Sequence, residues 1–175
     1  LLEKQLLQKQ VRHAYLFVGP KGIGRRTLAL RLAQAINCPE KGEYAAPCGS
    51  CRTCRQIESM AHVDLTVVQP EGDGSSIKVE QIRDLQHVLS RSPYENAYRV
   101  GLLLNFESAT LTAQNSLLKT LEEAPSKAVL LLTADSTENL LPTIVSRCEI
   151  IRLRSMSPEA LSVILQQRFS IQPQE

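Results

Sequence analysis

A glycine-rich run at residues 19–24 has the residue types and spacing of a phosphate-binding loop. In a working nucleotide hydrolase, the run is followed by a Lys that contacts the β- and γ-phosphates and by a Ser or Thr that binds Mg²⁺. Here Arg25 and Arg26 occupy those two positions. Arg25 keeps a positive charge on a bulkier, planar group, whereas Arg26 would repel a metal ion instead of binding it.

Three interpretations of this loop stay open. It could be a hydrolytic ATP site, a weak nucleotide site or a turn kept for structural reasons, and we expect the structural turn. Thr27 is a poor substitute for the missing hydroxyl, because one step along a helix turns a side chain by about 100°. The candidate nucleotide-binding residues at the loop are Gly19, Gly22, Gly24, Arg25 and Thr27.

A second motif, the acidic residue at the end of another strand, also lacks a residue that hydrolysis needs. A hydrolase of this class needs a carboxylate at the end of another apolar strand, where the carboxylate binds Mg²⁺. The candidate strand at 99–104 ends at Leu104 and runs into Asn105, and the first acid after it is Glu107. We expect Glu107 to be a solvated charge on a loop. Together the two motifs predict the fold of a nucleotide hydrolase with part of its chemistry lost.

Four cysteines have the spacing of a metal site. Cys48, Cys51 and Cys54 are separated by two residues each, and Cys38 lies upstream at the end of a predicted helix. Four thiolates around one tetrahedral ion leave no open position, which is typical of structural zinc. A disulfide framework is less favoured because we expect an intracellular protein with reduced thiols. A redox pair would need only two of these cysteines.

The composition favours one α/β domain. The chain has 175 residues, of which 43% are hydrophobic, and a formal net charge of +2. That charge is too small to indicate nucleic-acid binding by itself. No apolar stretch is long enough to cross a membrane. We expect a monomeric, cytoplasmic protein, and its termini suggest a piece of a longer chain.

Apolar runs and helical patterns alternate, which predicts a parallel sheet with helices on both faces. The predicted strands cover residues 15–18, 65–68, 100–104, 129–133 and 149–153. The predicted helices cover residues 2–10, 112–123 and 157–169, the surroundings of Leu28 to Ile36 and of Val79 to Leu89, and a short stretch near Asn139 and Leu140 broken around Pro142. Residues 38–60 form the zinc insertion. We expect one domain over 1–154 and the start of a helical lid domain over 155–175.

Two motifs carry a family resemblance. Residues 115–125, Asn-Ser-Leu-Leu-Lys-Thr-Leu-Glu-Glu-Ala-Pro, and Ser146-Arg147-Cys148 resemble the clamp-loader branch of the AAA+ ATPases, which have a P-loop NTPase fold. The zinc insertion narrows the resemblance to the bacterial gamma/tau and delta prime families of DNA polymerase III subunits. The altered loop, with Leu104 and Asn105, is more similar to delta prime.

The resemblance implies a stator, which is a subunit that does not act as the motor. It would work with gamma/tau and delta subunits in the complex that opens the sliding clamp and places it on primed DNA. In this family the Arg of Ser-Arg-Cys is an arginine finger directed at a neighbour's ATP, and here it corresponds to Arg147. From the residues alone, Arg147 would instead pair with a carboxylate such as Glu149. Thr133 corresponds to a phosphate-sensing residue, and without nucleotide we expect it to have no partner.

Two other classes of function stay open. A weak ATPase of the gamma/tau type would bind ATP and hydrolyse it with Mg²⁺. A direct nucleic-acid binder would use the zinc segment, where Lys41, Arg52 and Arg55 are basic. Three cations without interleaved aromatic residues make a thin patch, so this class is less favoured. Cys148, the fifth cysteine, is expected to be a small buried apolar residue.

Overall fold

Five parallel strands form a single sheet in the order β2-β3-β4-β1-β5. Their bounds are β1 Ala14–Val18, β2 Leu65–Val68, β3 Arg99–Leu103, β4 Ala128–Ala134 and β5 Glu149–Arg152. The three central strands are buried along their whole length. Strands covered on both faces read as continuous apolar runs, which is why the sequence predicts these three clearly. The computed structural model describes residues 2–8, 10–42, 45–72, 74–155, 157, 162 and 166.

Six α-helices cover the two faces of the sheet within the described residues. Their bounds are α1 Leu2–Leu7, α2 Arg25–Asn37, α3 Arg52–Glu58, α4 Val79–Leu89, α5 Leu111–Glu122 and α6 Pro142–Val145. Helices α1, α2 and α3 pack on one face, around Tyr15, Phe17 and Leu131. Helices α4, α5 and α6 pack on the other, around Leu16, Leu130 and Leu132. The predicted α/β fold with helices on both faces is confirmed.

Three local predictions need correction. Pro142 begins helix α6 instead of breaking a helix, because a proline has no N–H to lose at the first helical position and its φ is already helical. Helix α1 ends at Leu7, earlier than expected. Helix α3 and a 3₁₀ turn at Phe106–Ser108 were not predicted as helical.

The last predicted helix, at 157–169, falls largely on residues outside the described set. The proposed start of a lid domain at 155–175 therefore stays a prediction. Within the described residues, no helix is both long and apolar enough to cross a membrane.

Candidate functional site

A cavity of about 350 Å³ lies at the carboxyl edge of the sheet, where four strands end. In parallel sheets, ligands bind outside the carboxyl ends of the strands, near the point where the strand order reverses. The cavity is lined by Lys21, Gly22, Gly24, Arg25, Arg26, Thr27, Gln69, Leu104, Asn105 and Thr133. Five of the predicted nucleotide-binding residues are in this list. Gly19 lies at the base of the loop, where its N–H donates to the Ala134 carbonyl at 3.2 Å.

The glycine-rich loop places the amino end of α2 at this cavity. Gly24 is the residue that caps the helix, and its φ of 95° is in the left-handed region. A side chain would strain that conformation, which explains the glycine. No side chain caps the first turn of α2. The free amide groups and the positive end of the helix dipole therefore favour an anion here.

The side chains around the loop differ from those of a working hydrolytic site. Arg25 is buried, and its Nη1 atom makes no hydrogen bond within the described residues. Arg26 and Thr27 are exposed. None of the described residues lining the cavity carries a carboxylate. Magnesium in such sites is bound through carboxylate and hydroxyl oxygens. The cavity thus combines the uncapped amino end of a helix with a lining that has threonine hydroxyls but no carboxylate.

Thr133 has a partner, contrary to the sequence-based expectation. Its Oγ1 accepts a hydrogen bond of 2.9 Å from the backbone N–H of Asn105. Asn105 has a φ of 53°, a conformation that asparagine tolerates better than most residues. The contact joins the ends of β3 and β4 in the floor of the cavity. The Thr133 hydroxyl can still donate its own hydrogen.

Glu107 is not the fully solvated charge that the sequence suggests. Its side chain is partly buried, and its Oε2 atom has no hydrogen-bond partner within the described residues. Burial raises the pKa of Glu107 above its usual value, and the nearby charge of Asp135 adds to this effect, whereas Arg25 lowers the pKa. The 3₁₀ turn at the end of β3 turns this residue inward. It does not line the cavity, so it does not supply the missing carboxylate.

Four sulfur atoms converge beside α2 and α3. The Sγ atoms of Cys38, Cys48, Cys51 and Cys54 all lie within 4.8 Å of one another. Three of the separations are 3.6, 3.9 and 4.0 Å. A tetrahedral zinc ion at about 2.3 Å from each sulfur would place the sulfurs about 3.8 Å apart. The cluster therefore has dimensions that could hold one metal ion.

Local structure brings the cysteines together. Cys38 follows the last residue of α2, and Cys51 caps the amino end of α3 by accepting from the N–H of Cys54. Gly49, with a φ of 74°, makes the turn between Cys48 and Cys51. Helix α3 is fixed to α2 by a hydrogen bond of 2.7 Å from the Gln34 amide to the Cys54 carbonyl. The ends of two α-helices and the turn at Gly49 thus bring together four cysteines that are spread over seventeen residues.

The cluster contains one thiol that ionises readily. Hydrogen bonds from the backbone of Cys51 and then Ser50 lower the pKa of Cys48 to about 6. Burial raises the pKa of Cys54 to about 12. A fully buried thiol of this kind is ionised only when a cation such as zinc binds it. Together, the sulfur spacing, the burial and the N–H donors fit a closed metal site.

Arg147 lies at the amino edge of the sheet, opposite the cavity, between α6 and the first residue of β5. Its Nη2 atom is 2.8 Å from Glu122 Oε1, and its Nη1 donates to the Thr143 carbonyl at 2.9 Å. The pairing with a surface carboxylate that the residues alone suggested is confirmed, but the partner is Glu122 and not Glu149, because α5 ends beside α6. The Arg147 side chain is 35% exposed. Cys148, next to it, is partly buried against the core around α5 and α6, and burial raises its pKa to about 12.

One of the three basic residues in the segment from 38 to 60 lies beside a carboxylate. Arg52 lies 3.8 Å from Glu95, and Lys41 donates to the Ile36 carbonyl at 3.4 Å. Arg55 is exposed and forms no ion pair within the described residues. The charge of Arg52 is therefore offset by a neighbouring carboxylate, which weakens the case for nucleic-acid binding here.

The fold and the loop-lined cavity define a P-loop protein of the AAA+ type. A DNA polymerase III gamma subunit-related protein from Thermotoga maritima has a similar structure, with a TM-score of 0.66 at 23% identity over 95% of this chain and 49% of that chain. The Thermotoga maritima RuvB Holliday junction branch migration motor is also similar, with a TM-score of 0.60 at 16% identity over 97% of this chain and 47% of that chain.

Sequence comparison resolves the family. The family described as DNA polymerase III, delta subunit, matches residues 1–157. The DNA polymerase III subunit delta' of Bacillus subtilis is 40% identical over 161 residues, which are 92% of this chain and 48% of that protein. Subunit delta' of Pseudomonas aeruginosa is 40% identical over 78% of this chain and 41% of its own length. Subunit tau of Escherichia coli is 37% identical over 87% of this chain and 23% of its own length.

The chain belongs to the delta prime family of bacterial DNA polymerase III clamp-loader subunits. It spans about half the length of the delta' relatives that it matches.

Proposed function

We propose that this chain is part of a non-motor clamp-loader subunit that presents Arg147 to the ATP of a neighbouring subunit. It would work with gamma/tau and delta subunits to load the sliding clamp onto primed DNA. Its family supports this assembly. The cavity supports the non-motor role, because the lysine, the hydroxyl and the carboxylate that phosphoryl transfer needs are replaced.

The position of Arg147 relative to the cavity carries the proposal. Arg147 precedes β5 and so lies at the amino edge of the sheet, whereas the cavity lies at the carboxyl edge. The strands are parallel, and β5 alone spans about 13 Å at about 3.3 Å per residue. Arg147 is therefore too far away to serve the cavity of its own chain. It can contact a phosphate only on another molecule.

An arginine suits such a role chemically. Its charge is permanent, and its planar fork can meet two phosphate oxygens at once. Stabilising the charge on a transferring phosphoryl group in this way is worth about 10³–10⁵ in rate.

The test is a clamp loader reconstituted with the full-length protein carrying Arg147→Ala. Total ATP turnover should fall partly, because the arginine serves one of several ATP sites, and clamp loading should fall more. Arg147→Lys should not restore either activity, since it keeps the charge without the fork. Both activities at wild-type level in a correctly assembled Arg147→Ala complex would refute the proposal.

We further propose that the cysteine cluster binds one structural zinc ion. The sulfur separations and the four-thiolate donor set fit zinc. All four positions of the tetrahedron are filled by protein ligands, so the ion has no open site for catalysis. Its role is to hold α3 and the segment from 38 to 60 against α2.

A second candidate function is nucleotide binding without hydrolysis, as in a weakly active subunit of the gamma/tau type. The observation that favours it is the uncapped amino end of α2 beside the buried Arg25. Binding of ATP to the purified protein, with and without Mg²⁺, tests this directly. Binding that needs no Mg²⁺ and is lost in Arg25→Ala would support an anion site. Hydrolysis dependent on Mg²⁺ would show a working ATPase and contradict the non-motor proposal.

Three broader features are part of the same proposal. Residues 1–154 form the AAA+ domain, and 155–175 begin a helical lid. The subunit acts in the cytoplasm, where clamp loading takes place. We expect this chain to be monomeric by itself.

A further inference from the structure

We propose that Glu122 is a positioning residue that orients the Arg147 guanidinium for contact with a phosphate on the neighbouring subunit. This inference rests on the function proposed for Arg147 and adds a residue that acts through it. Glu122 is the last residue of α5. Its carboxylate would not bind a phosphate directly, because two anions repel each other.

The guanidinium is held at two points that belong to different elements. Thr143 in α6 accepts from Nη1 at 2.9 Å, and Glu122 at the end of α5 lies 2.8 Å from Nη2. Two contacts on the two terminal nitrogens fix both the direction and the plane of the fork. One contact alone would leave the plane free to rotate about it.

The two contacts leave donors for a ligand. A guanidinium has five N–H groups, and the contacts with Thr143 and Glu122 engage one on each terminal nitrogen. Three N–H groups are then left for phosphate oxygens. Glu122 therefore orients the arginine without blocking it.

The pair is accessible to a partner and contributes little to the fold. The side chains of Arg147 and Glu122 are 35% and 52% exposed. Exposed ion pairs add little to stability because water screens them. What the pair does provide is a preset geometry, so that less side-chain freedom is lost when a partner docks.

The experiment uses the full-length protein in the reconstituted clamp loader and measures single-turnover ATP hydrolysis. Glu122→Ala should slow the site that Arg147 serves by about fivefold. The ATP concentration for half-maximal rate should stay unchanged, because the partner binds the nucleotide. Glu122→Gln should keep a rate close to wild type, since its amide oxygen still accepts from Nη2.

Glu123→Ala is the matched control, because Glu123 is the next residue and forms no ion pair within the described part of the chain. It should leave the rate unchanged. A slow Arg147→Ala complex together with a fully active Glu122→Ala complex would overturn the positioning role alone. Equal losses in Glu122→Gln and Glu122→Ala, or a faster rate in Glu122→Ala, would overturn it as well. A normal rate in Arg147→Ala would instead refute the function proposed for Arg147.

Discussion

Asp64 is a fully buried carboxylate before β2, and it organises the loop that leads into β3. It accepts hydrogen bonds from the backbone N–H groups of Tyr94, Glu95 and Asn96 at 2.7, 2.9 and 3.1 Å. Arg99 lies 3.3 Å from the same side chain. Burial alone would raise the pKa of Asp64, but the three donors and Arg99 outweigh it and hold the pKa below its usual value. One ionised side chain thus fixes a loop that has no regular structure.

Replacing Asp64 by Asn should destabilise the protein by about 3 kcal/mol. The new amide group would face N–H donors, and Arg99 would lose its counter-charge in a buried setting. Urea unfolding measures the change. Asp84→Asn is the control, because Asp84 is exposed on α4, and it should change the free energy of unfolding by less than about 0.5 kcal/mol.

The same residue predicts a dependence on pH. Its pKa is lower in the folded state than in the unfolded state, so its contribution to stability is present above the unfolded value of about 3.9. That contribution is lost as the pH falls through the lowered folded pKa. The stability difference between wild type and Asp64→Asn should therefore shrink below about pH 4. A difference that stays constant through this acid range would contradict the charged network.

At the scale of elements, the glycine loop and helix α2 form one unit. Gly24 closes the loop with a φ of 95°, and its N–H and carbonyl lie at the start of the helix. An added Cβ atom would meet no other atom within 4 Å. Any cost of a side chain there is therefore backbone strain and not crowding.

Gly24→Ala should lower the free energy of unfolding by about 1–2 kcal/mol, because an L-residue is strained in the left-handed region. Gly72 is a matched site, with equally open surroundings and no positive φ. Gly72→Ala should leave stability unchanged or slightly raised. Similar effects at the two sites in thermal or urea unfolding would show that the loop conformation is not strained.

The cysteine cluster is the second unit at this scale. We expect one zinc ion per chain in freshly prepared, reduced protein, measured by elemental analysis. Cys54→Ser should lose the metal and make residues 38–60 sensitive to proteolysis, whereas Cys148→Ser should keep both properties. Protein without metal, or equal metal content in the two variants, would argue against the zinc site.

The elements that could be predicted are those with a local signal. The three central strands are apolar runs because both faces are covered, and the cysteine spacing predicts the convergence of four sulfur atoms without knowledge of the fold. Helix α3 was missed because only Cys54 and Ile57 on it are buried, too few to show a helical period. The pairing of Arg147 with Glu122 depends on how α5 packs beside α6, and the burial of Glu107 depends on a turn after β3. Neither contact has a signal in the nearby sequence.

At the scale of the whole molecule, the cavity and Arg147 lie at opposite edges of the sheet. The carboxyl edge carries a cavity at the uncapped amino end of α2, and the amino edge carries Arg147, which contacts Thr143 and Glu122. In a heterologous interface, two different surfaces meet head to tail. Related chains arranged in this way could bring the amino edge of one against the carboxyl edge of the next. If the chain does not hydrolyse ATP and Arg147 contacts a phosphate as proposed, it can act only in such an arrangement.

The most direct test is the burst of ATP hydrolysis by a reconstituted clamp loader that contains the full-length protein. With Arg147→Ala, the amplitude of the burst should fall by one ATP per complex. The site that loses the arginine should hydrolyse its ATP more slowly, by about 10³-fold or more. The other sites should keep their rates, and the Glu123→Ala complex should match wild type. A burst of unchanged amplitude and rate in a fully assembled Arg147→Ala complex would contradict the claim that this chain supplies an arginine to its neighbour's ATP.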